Sequence, residues 1–496
     1  MSDKLFIKGT LILTLTGLVS RLMGFFYRIF LSHTIGAQGV GIYQLTLPVH
    51  AIVLAACCMG IQAAISRLCA SFTALGKEKE SRDALLLGTF LSMALCGLLS
   101  FLVYWNADFV ASALLKEPRT AVLLRDFVAS ALLKEPRTTV LLRILAFSFP
   151  FAALHSCVNS FYYARKTTGI PAFILLLEQT SRIGSTYVIY LILISQKKEI
   201  TPVIAAGGAL FSELTATVAC MLALGLDFSR ENYKPVTGLL RRILRVFFCM
   251  CKGTHRNSPS AVKYISHIQP ASVKNNTATS INALIKEIAQ IAVPHSVNRL
   301  LLTLLSGIEM VLIPQRLLLA GINRTDSLSV YGIFTGMTLP LILFPATLTN
   351  SASVMLMPSV ASLQALGHEK KIRHVIRRTC ENCFFFGGFC TFFFFIFGKS
   401  LGNFLFHSET AGIYIRTLAF ICPFLYTNTA LESILNGLGR PDACLFHNIA
   451  EVCIRIGFVF FSIPVLGIRG YFYGMLLSQL ILTLLHFIYL NRLERV

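Results

Sequence analysis

The chain is 496 residues long, 55% hydrophobic and only 14% charged, with a mean hydropathy of +0.69. That is not the composition of a soluble protein, and several apolar runs exceed the ~18 residues that cross a bilayer. The formal net charge is +21, but the cations stand mostly between the apolar runs, as in cytoplasmic loops. No nucleic-acid partner is expected. The runs are continuous rather than alternating and read as helices, because backbone polar groups in hydrocarbon are satisfied only within helices or closed barrels.

Twelve spanning helices are expected, near residues 8–32, 41–68, 84–106, 141–164, 170–195, 202–226, 285–313, 328–360, 380–398, 410–437, 442–465 and 468–490. The chain is thus read as an all-α, multi-pass integral protein of the cell membrane. The opening segment has no small-residue cleavage site, and its apolar run continues past Arg21. It is expected to be the first span rather than a signal peptide. Lys4 and Lys8, the loop cations Lys77, Lys79 and Arg82, the run Lys370 to Arg378, and Arg492 with Arg495 fall on one side if the count holds. That side is the cytoplasm, with both termini in it. The connection between helices 3 and 4 breaks the rule. There DFVASALLKEPRTAVLLR (108–125) is followed at once by DFVASALLKEPRTTVLLR (126–143), differing only at Ala121 and Thr139. Eighteen residues are five helical turns. With Pro118 and Pro136 to interrupt it, the tandem duplication is expected to lie as a broken amphipathic stretch at the interface.

A second repeat spans the whole chain. ASFTALGKEKE at 70–80 matches ASLQALGHEKK at 361–371. Glu178-x-x-x-Arg182-Ile-Gly184 matches Glu451-x-x-x-Arg455-Ile-Gly457. Two homologous six-helix lobes are expected, 1–226 and 285–496, joined by a basic cytoplasmic linker at 227–284. Parallel repeats of this kind are a transporter architecture with the substrate site between the lobes.

Charges inside spans cost at least ~2.5–3.5 kcal/mol each and need a reason to be there. Glu178/Arg182 and Glu451/Arg455 are spaced i,i+4 with the acid first and read as structural ion pairs. Glu213, Glu309 and Glu432 are single acids, and Glu309 and Glu432 are candidates for ion coupling. Arg21 and Arg28 differ. Seven residues apart, they share one helix face, and no Asp or Glu lies within four residues of either. Gly17, Ser20 and Gly24 leave room beside them. In helix 7, Asn298 and Arg299 stand where Ser20 and Arg21 stand in helix 1. Arginine is suited to bidentate phosphate recognition. Ser20, Arg21, Arg28, Asn298 and Arg299 are therefore the expected anion-binding set, for a phosphate or pyrophosphate group. No catalytic constellation is present: Gly398-Lys399-Ser400 lacks the upstream glycine of a phosphate loop, position 393 being Phe. The fourteen cysteines, including the lone Cys380-x-x-Cys383, suit small helix residues better than a metal site. No enzyme activity, metal or cofactor is expected.

SRLMGFFYRIFLSHTIGAQGVGIYQLTLP, MGIQAAISRLCASFTALGKEKE and YGIFTGMTLPLILFPATLTNSASVMLMPSVAS resemble the stage V sporulation protein B family, within the superfamily of multidrug, oligosaccharidyl-lipid and polysaccharide exporters (MOP) that includes lipid II flippases. The resemblance implies a MATE/MOP-like fold, alternating access, and a polyprenyl-pyrophosphate-linked saccharide as cargo, with Arg21, Arg28 and Arg299 lining the cavity. It implies membrane lipids as surroundings and cell-wall synthases as candidate partners in spore-cortex peptidoglycan synthesis. Two features depart from lipid II flippases. No arginine follows Pro48, where the chain reads Val49-His50-Ala51, and the chain stops after about twelve helices. A cation-coupled multidrug exporter and a non-transporting scaffold for cell-wall synthases are the alternative readings.

Overall fold

The computed structural model describes residues 3–106, 136–165, 167–230, 281–365 and 368–493. Among these the chain is helical, with no strand. In the first half run α1 (Asp3–Gln44), α2 (Leu47–Leu54), α3 (Gly60–Ala74), α4 (Glu78–Trp105), α5 (Pro136–Ala146), α6 (Ser148–Ala164), α7 (Gly169–Ser195) and α8 (Val203–Arg230). The second half holds α9 (Ile281–Leu319), α10 (Arg324–Gly332), α11 (Leu339–Leu343), α12 (Ala346–Ala365), α13 (Glu369–Phe406), α14 (Glu409–Leu418), α15 (Cys422–Gly437), α16 (Pro441–Phe461), α17 (Ile463–Leu466) and α18 (Ile468–Leu493). Among the described residues nine stretches are long and apolar enough to cross a membrane, ten if the bent pair α5–α6 is one span. α1 and α7, at 42 and 27 residues, are also of spanning length and carry charges inside. Phe404 and Phe461 are each 81% exposed and Phe446 78%. Facing water, each would forfeit about 1.5–3 kcal/mol, so these faces meet lipid.

Several helices differ from the sequence expectation, each for a local reason. Helix 1 does not stop at residue 32. It runs on to a kink at Gly36, whose non-helical φ of 67° and ψ of 175° only glycine adopts cheaply, and a second helical arm follows to Gln44. The third and ninth spans begin earlier than expected, at Glu78 and Glu369, because good helix formers such as Glu and Lys carry the helix out of the hydrocarbon. The fourth begins at Pro136, so the last eight residues of the duplication belong to α5, and Leu141 is buried in a core cluster rather than lying at an interface. Residues 108–135 of the duplication, and 231–280 of the expected 227–284 linker, lie outside the described residues, while the linker's ends, 227–230 and 281–284, belong to α8 and α9 instead. α5 and α6 meet at 43°. Pro150 cannot donate to the Ala146 carbonyl, and the Ser100 hydroxyl donates to it instead. The eighth span is not one helix. It opens a π-helical turn at Ile333–Thr338, runs as α11, and breaks at Phe344–Pro345 before α12. The second span also contains a π turn, Ala55–Met59.

The core falls into clusters that follow the chain halves. Ile61, Ile65, Leu85, Phe161 and Cys220 pack together, and Leu284, Ile288 and Ala292 from the start of α9 join them. Leu312 and Ile313, from later in α9, pack instead with Tyr331, Phe334, Tyr426 and Phe472. One continuous helix therefore serves both clusters. A second crossing is made backbone to backbone between α1 and α10. A Cβ at Gly41 would strike Leu328 O, and one at Gly332 would strike Ala37 O. Gly36 aims this end of α1 at α10, and His33 Nε2 lies 2.9 Å from Leu405 O beside it.

Gly332→Ala is expected to destabilise the detergent-purified protein by about 1–3 kcal/mol, as an overpacked contact does, whereas Gly17→Ala, with nothing within 4 Å, is expected to be neutral or stabilising. Thermal unfolding checks both; equal melting temperatures for the two variants would refute the tight crossing.

Candidate functional site: two arginines facing a broken helix

α1 carries Arg21 and Arg28 on one face, and both side chains are exposed along it. Opposite them lies the break in the eighth span. Together they form a half-open cleft of about 340 Å³, lined by Arg21, Gly24, Phe25 and Arg28 from α1 and by Pro340, Leu343, Phe344, Ala346, Thr347 and Asn350 from the other side. The Phe25 and Phe344 rings pack at 5.6 Å across it. Gly24 allows α7 to close the back of α1, since a Cβ there would stand 3.2 Å from Gln179 Nε2.

Among the described residues, neither arginine has an ion-pair partner. Tyr43 and the Arg182 guanidinium lie within electrostatic range of Arg28. The opposite wall adds positive potential of its own. Pro345 ends α11, and the first turn of α12 (Ala346, Thr347, Asn350) faces the cleft. Thr347 N and Leu348 N donate to the carbonyls of Phe344 and Pro345 at 3.1 and 3.0 Å, so what this helix start adds is its dipole, about half a positive charge, and half-helix N-termini meet anionic groups in transporters. The sequence reading missed this wall because it ran the eighth helix straight through Pro345. The signal was present in Phe344-Pro345, which disfavours helix at the preceding residue.

Not every expected member joins this cleft. Ser20 is half-buried on α1, and Asn298 and Arg299 are exposed on α9; none of the three lines the cleft. Arg299 stands within electrostatic range of Glu432, which also has Asn448 as a hydrogen-bonding neighbour.

The other intramembrane charges form two buried networks. In the first half, Arg182 donates to Glu178 at 2.6 Å and to Ser212 at 3.2 Å, and His155 Nδ1 lies 3.1 Å from Glu213. In the second half, Arg455 donates to Glu309 through Nε at 2.7 Å and Nη2 at 3.1 Å, and also to Glu451. Tyr471 OH donates to Glu309 at 2.7 Å, and Gln479 donates to Glu451 at 2.7 Å. Glu309 and Arg455 line a second cavity of about 210 Å³ with Ser306, Thr335, Tyr471 and Gln479. Glu309 is 146 residues from its guanidinium partner, a pairing that no local spacing reveals.

Comparison with known proteins agrees with this architecture. The chain matches the family model "Polysaccharide biosynthesis protein" over residues 6–257. It is 24% identical to stage V sporulation protein B of Bacillus subtilis (strain 168) over 492 residues, 98% of this chain and 83% of that protein. A shorter stretch of 111 residues, 22% of this chain and 20% of the relative, is 31% identical to lipid II flippase MurJ of the same organism. The inward-facing structure of a multidrug resistance MATE family transporter of the MOP superfamily superposes with a TM-score of 0.66 at 16% identity, covering 96% of this chain and 94% of that one. The resemblance to the stage V sporulation protein B family holds, and the flippase and the transporter among these relatives move substrates rather than convert them. With the family model matched over residues 6–257 of 496, the chain belongs to the polysaccharide biosynthesis protein family and has the MOP-superfamily fold.

Proposed function

We propose that the chain is a flippase for a polyprenyl-pyrophosphate-linked saccharide, a lipid II-like cell-wall precursor of the kind a spore cortex requires. One observation carries the reading: two arginines without carboxylate partners among the described residues share a membrane-level cleft with the N-terminus of a broken helix. The pyrophosphate sits between Arg21, Arg28 and the first turn of α12, and the prenyl tail remains in lipid. The 340 Å³ cleft is within the range of small-ligand sites and is open on one side, so the saccharide extends beyond it. Two lobes, 1–226 and 285–496, rock around this point with residues 227–284 between them. The Gly41–Gly332 crossing closes one end of the path, and its release opens that end. With both termini cytoplasmic, the inside-negative potential favours export by ~2.3 kcal/mol per negative charge per 100 mV. Arg299 lies outside the cleft in this conformation and meets the cargo only when the lobes rearrange.

Of the two coupling candidates, Glu309 is the better placed. It and Glu451 share the single guanidinium of Arg455 beside a cavity, which leaves one negative charge for an ion or proton to balance. A cation-coupled drug exporter would instead want acids in the cleft, where Arg21 and Arg28 stand. A scaffold role would leave both arginines dispensable.

In liposomes with fluorescent lipid II and an external quencher, Arg21→Ala and Arg28→Ala should each slow transbilayer movement about tenfold or more, the size of a lost charge-assisted hydrogen bond. Lysine replacements should retain part of the rate, since lysine keeps the charge without the fork. If the double alanine variant moves lipid II as fast as wild type, the proposal fails. Separately, Arg455→Met leaves two buried carboxylates unpaired and should destabilise the protein by about 3–5 kcal/mol. Glu309→Gln should leave it folded and abolish the dependence of transport on the driving ion. Thermal unfolding and transport across imposed Na⁺ or proton gradients check these outcomes, and unchanged ion dependence would make Glu309 purely structural.

A further inference from the structure

A larger groove lies away from the arginine cleft, on the outer flank of the second half between α13, α14 and α18. Its volume is about 400 Å³. Phe395, Phe420, Phe472 and Leu476 supply an apolar floor, and Lys399 and Arg416 stand at its edge. Phe395 and Phe420 are 43% and 48% exposed, so the floor is open to whatever surrounds the protein. The cations are held in place. Gly398 has no side chain because the Arg416 stem occupies its space: a Cβ there would lie 2.7 Å from Arg416 Cγ. The guanidinium carbon sits 4.8 Å over the Phe395 ring. Among the described residues Arg416 has no carboxylate partner, and Lys399 is only at the 4.0 Å limit from Glu409, itself largely exposed.

Depth fixes what can reach this groove. Lys399 precedes the end of α13 at Phe406 by seven residues, about 10 Å along the axis. Below it runs the phenylalanine-rich stretch Phe384–Phe397. From this level a long cationic side chain snorkels to the phosphate layer of a bilayer while the slot meets acyl chains. A second copy of the chain fits poorly, because a two-fold contact sets the same patch against itself and would bring Lys399 and Arg416 against their own images. We infer that this groove is a binding site for an anionic glycerophospholipid, its phosphate on Lys399 and Arg416 and one acyl chain on the phenylalanine floor. The site is independent of the cargo cleft and would anchor the second half against the leaflet at the Phe406 end while the first half moves.

The test uses full-length protein and phosphatidylglycerol as the probe. Native mass spectrometry from detergent should show phosphatidylglycerol retained over phosphatidylcholine by wild type. Retention should fall roughly thirtyfold in the Lys399→Ala/Arg416→Ala double variant, as two cations at a lipid surface contribute. Arg416→Lys should restore much of it. The variants are scored only against a melting temperature in phosphatidylcholine equal to that of wild type. If the double variant does not meet that standard, the single Lys399→Glu change at the exposed rim replaces it and should show the same selective loss. Equal phosphatidylglycerol retention by wild type and variants overturns the site. So does equal protection by inorganic phosphate, which would mean a soluble-anion site, or a dimer in phosphatidylcholine nanodiscs that the double variant abolishes, which would mean that a second copy covers the groove.

Discussion

A guanidinium inside a membrane span must be neutralised, solvated or visited, and much of this structure follows from which of the three each arginine receives. Arg182 and Arg455 are neutralised by buried carboxylates and hydroxyls within their own half of the chain. Arg416 rests on a phenylalanine ring. Arg21 and Arg28 receive neither treatment among the described residues, and they face a cleft. Because insertion of an arginine at a helix centre costs ~2.5–3.5 kcal/mol even on the lenient scale, two of them on one face are costly unless an anion returns that energy.

The helix geometry around the cleft bears on that cost. Pro345 and the π turn before it interrupt the eighth span at the level of the arginines, freeing a helix N-terminus toward them. A continuous helix would have presented only side chains there. The interruption costs backbone hydrogen bonds in a medium that cannot replace them, which is tolerable where the freed groups line a cavity. On the α1 side, Gly24 lets Gln179 close in behind the arginines, and Gly36 redirects the chain into the glycine crossing with α10. The arginines and the glycine crossing thus stand on the two arms of α1, on either side of the Gly36 kink.

Helix 1 was legible to a considerable degree. Its arginines, their common face and the missing acids could be read from spacing alone, because a span has one period and few charges. The i,i+4 acid–base pairs were legible for the same reason. What stayed hidden depends on tertiary partners. Nothing local to Glu309 points to Arg455 or Tyr471, so it reads as a lone acid although both of its carboxylate oxygens are bonded, to Arg455 and Tyr471. Nothing local to Phe344-Pro345 says whether a span merely bends or exposes a helix start, and the straight reading of 328–360 erased the second wall of the cleft. Arg299 shows the converse limit. Its position in the internal repeat matches that of Arg21, yet in this conformation it lies near Glu432 rather than in the cleft.

That asymmetry between matched positions bears on mechanism. The repeat pairs Glu178–Arg182 with Glu451–Arg455, and both pairs are engaged in buried networks, one extended by Ser212 and the other by Glu309 and Tyr471. Networks present twice, once in each half, are what a pair of rigid bodies needs to survive repeated movement against each other. Among the described residues, features present once are what distinguish the halves: two unpaired arginines on α1, a broken helix opposite them, and a doubled carboxylate on a single guanidinium beside a cavity. If movement of one half against the other is the working stroke, the cargo's charge acts on the first half, the coupling ion acts on the second, and the glycine crossing between α1 and α10 is where the two are balanced.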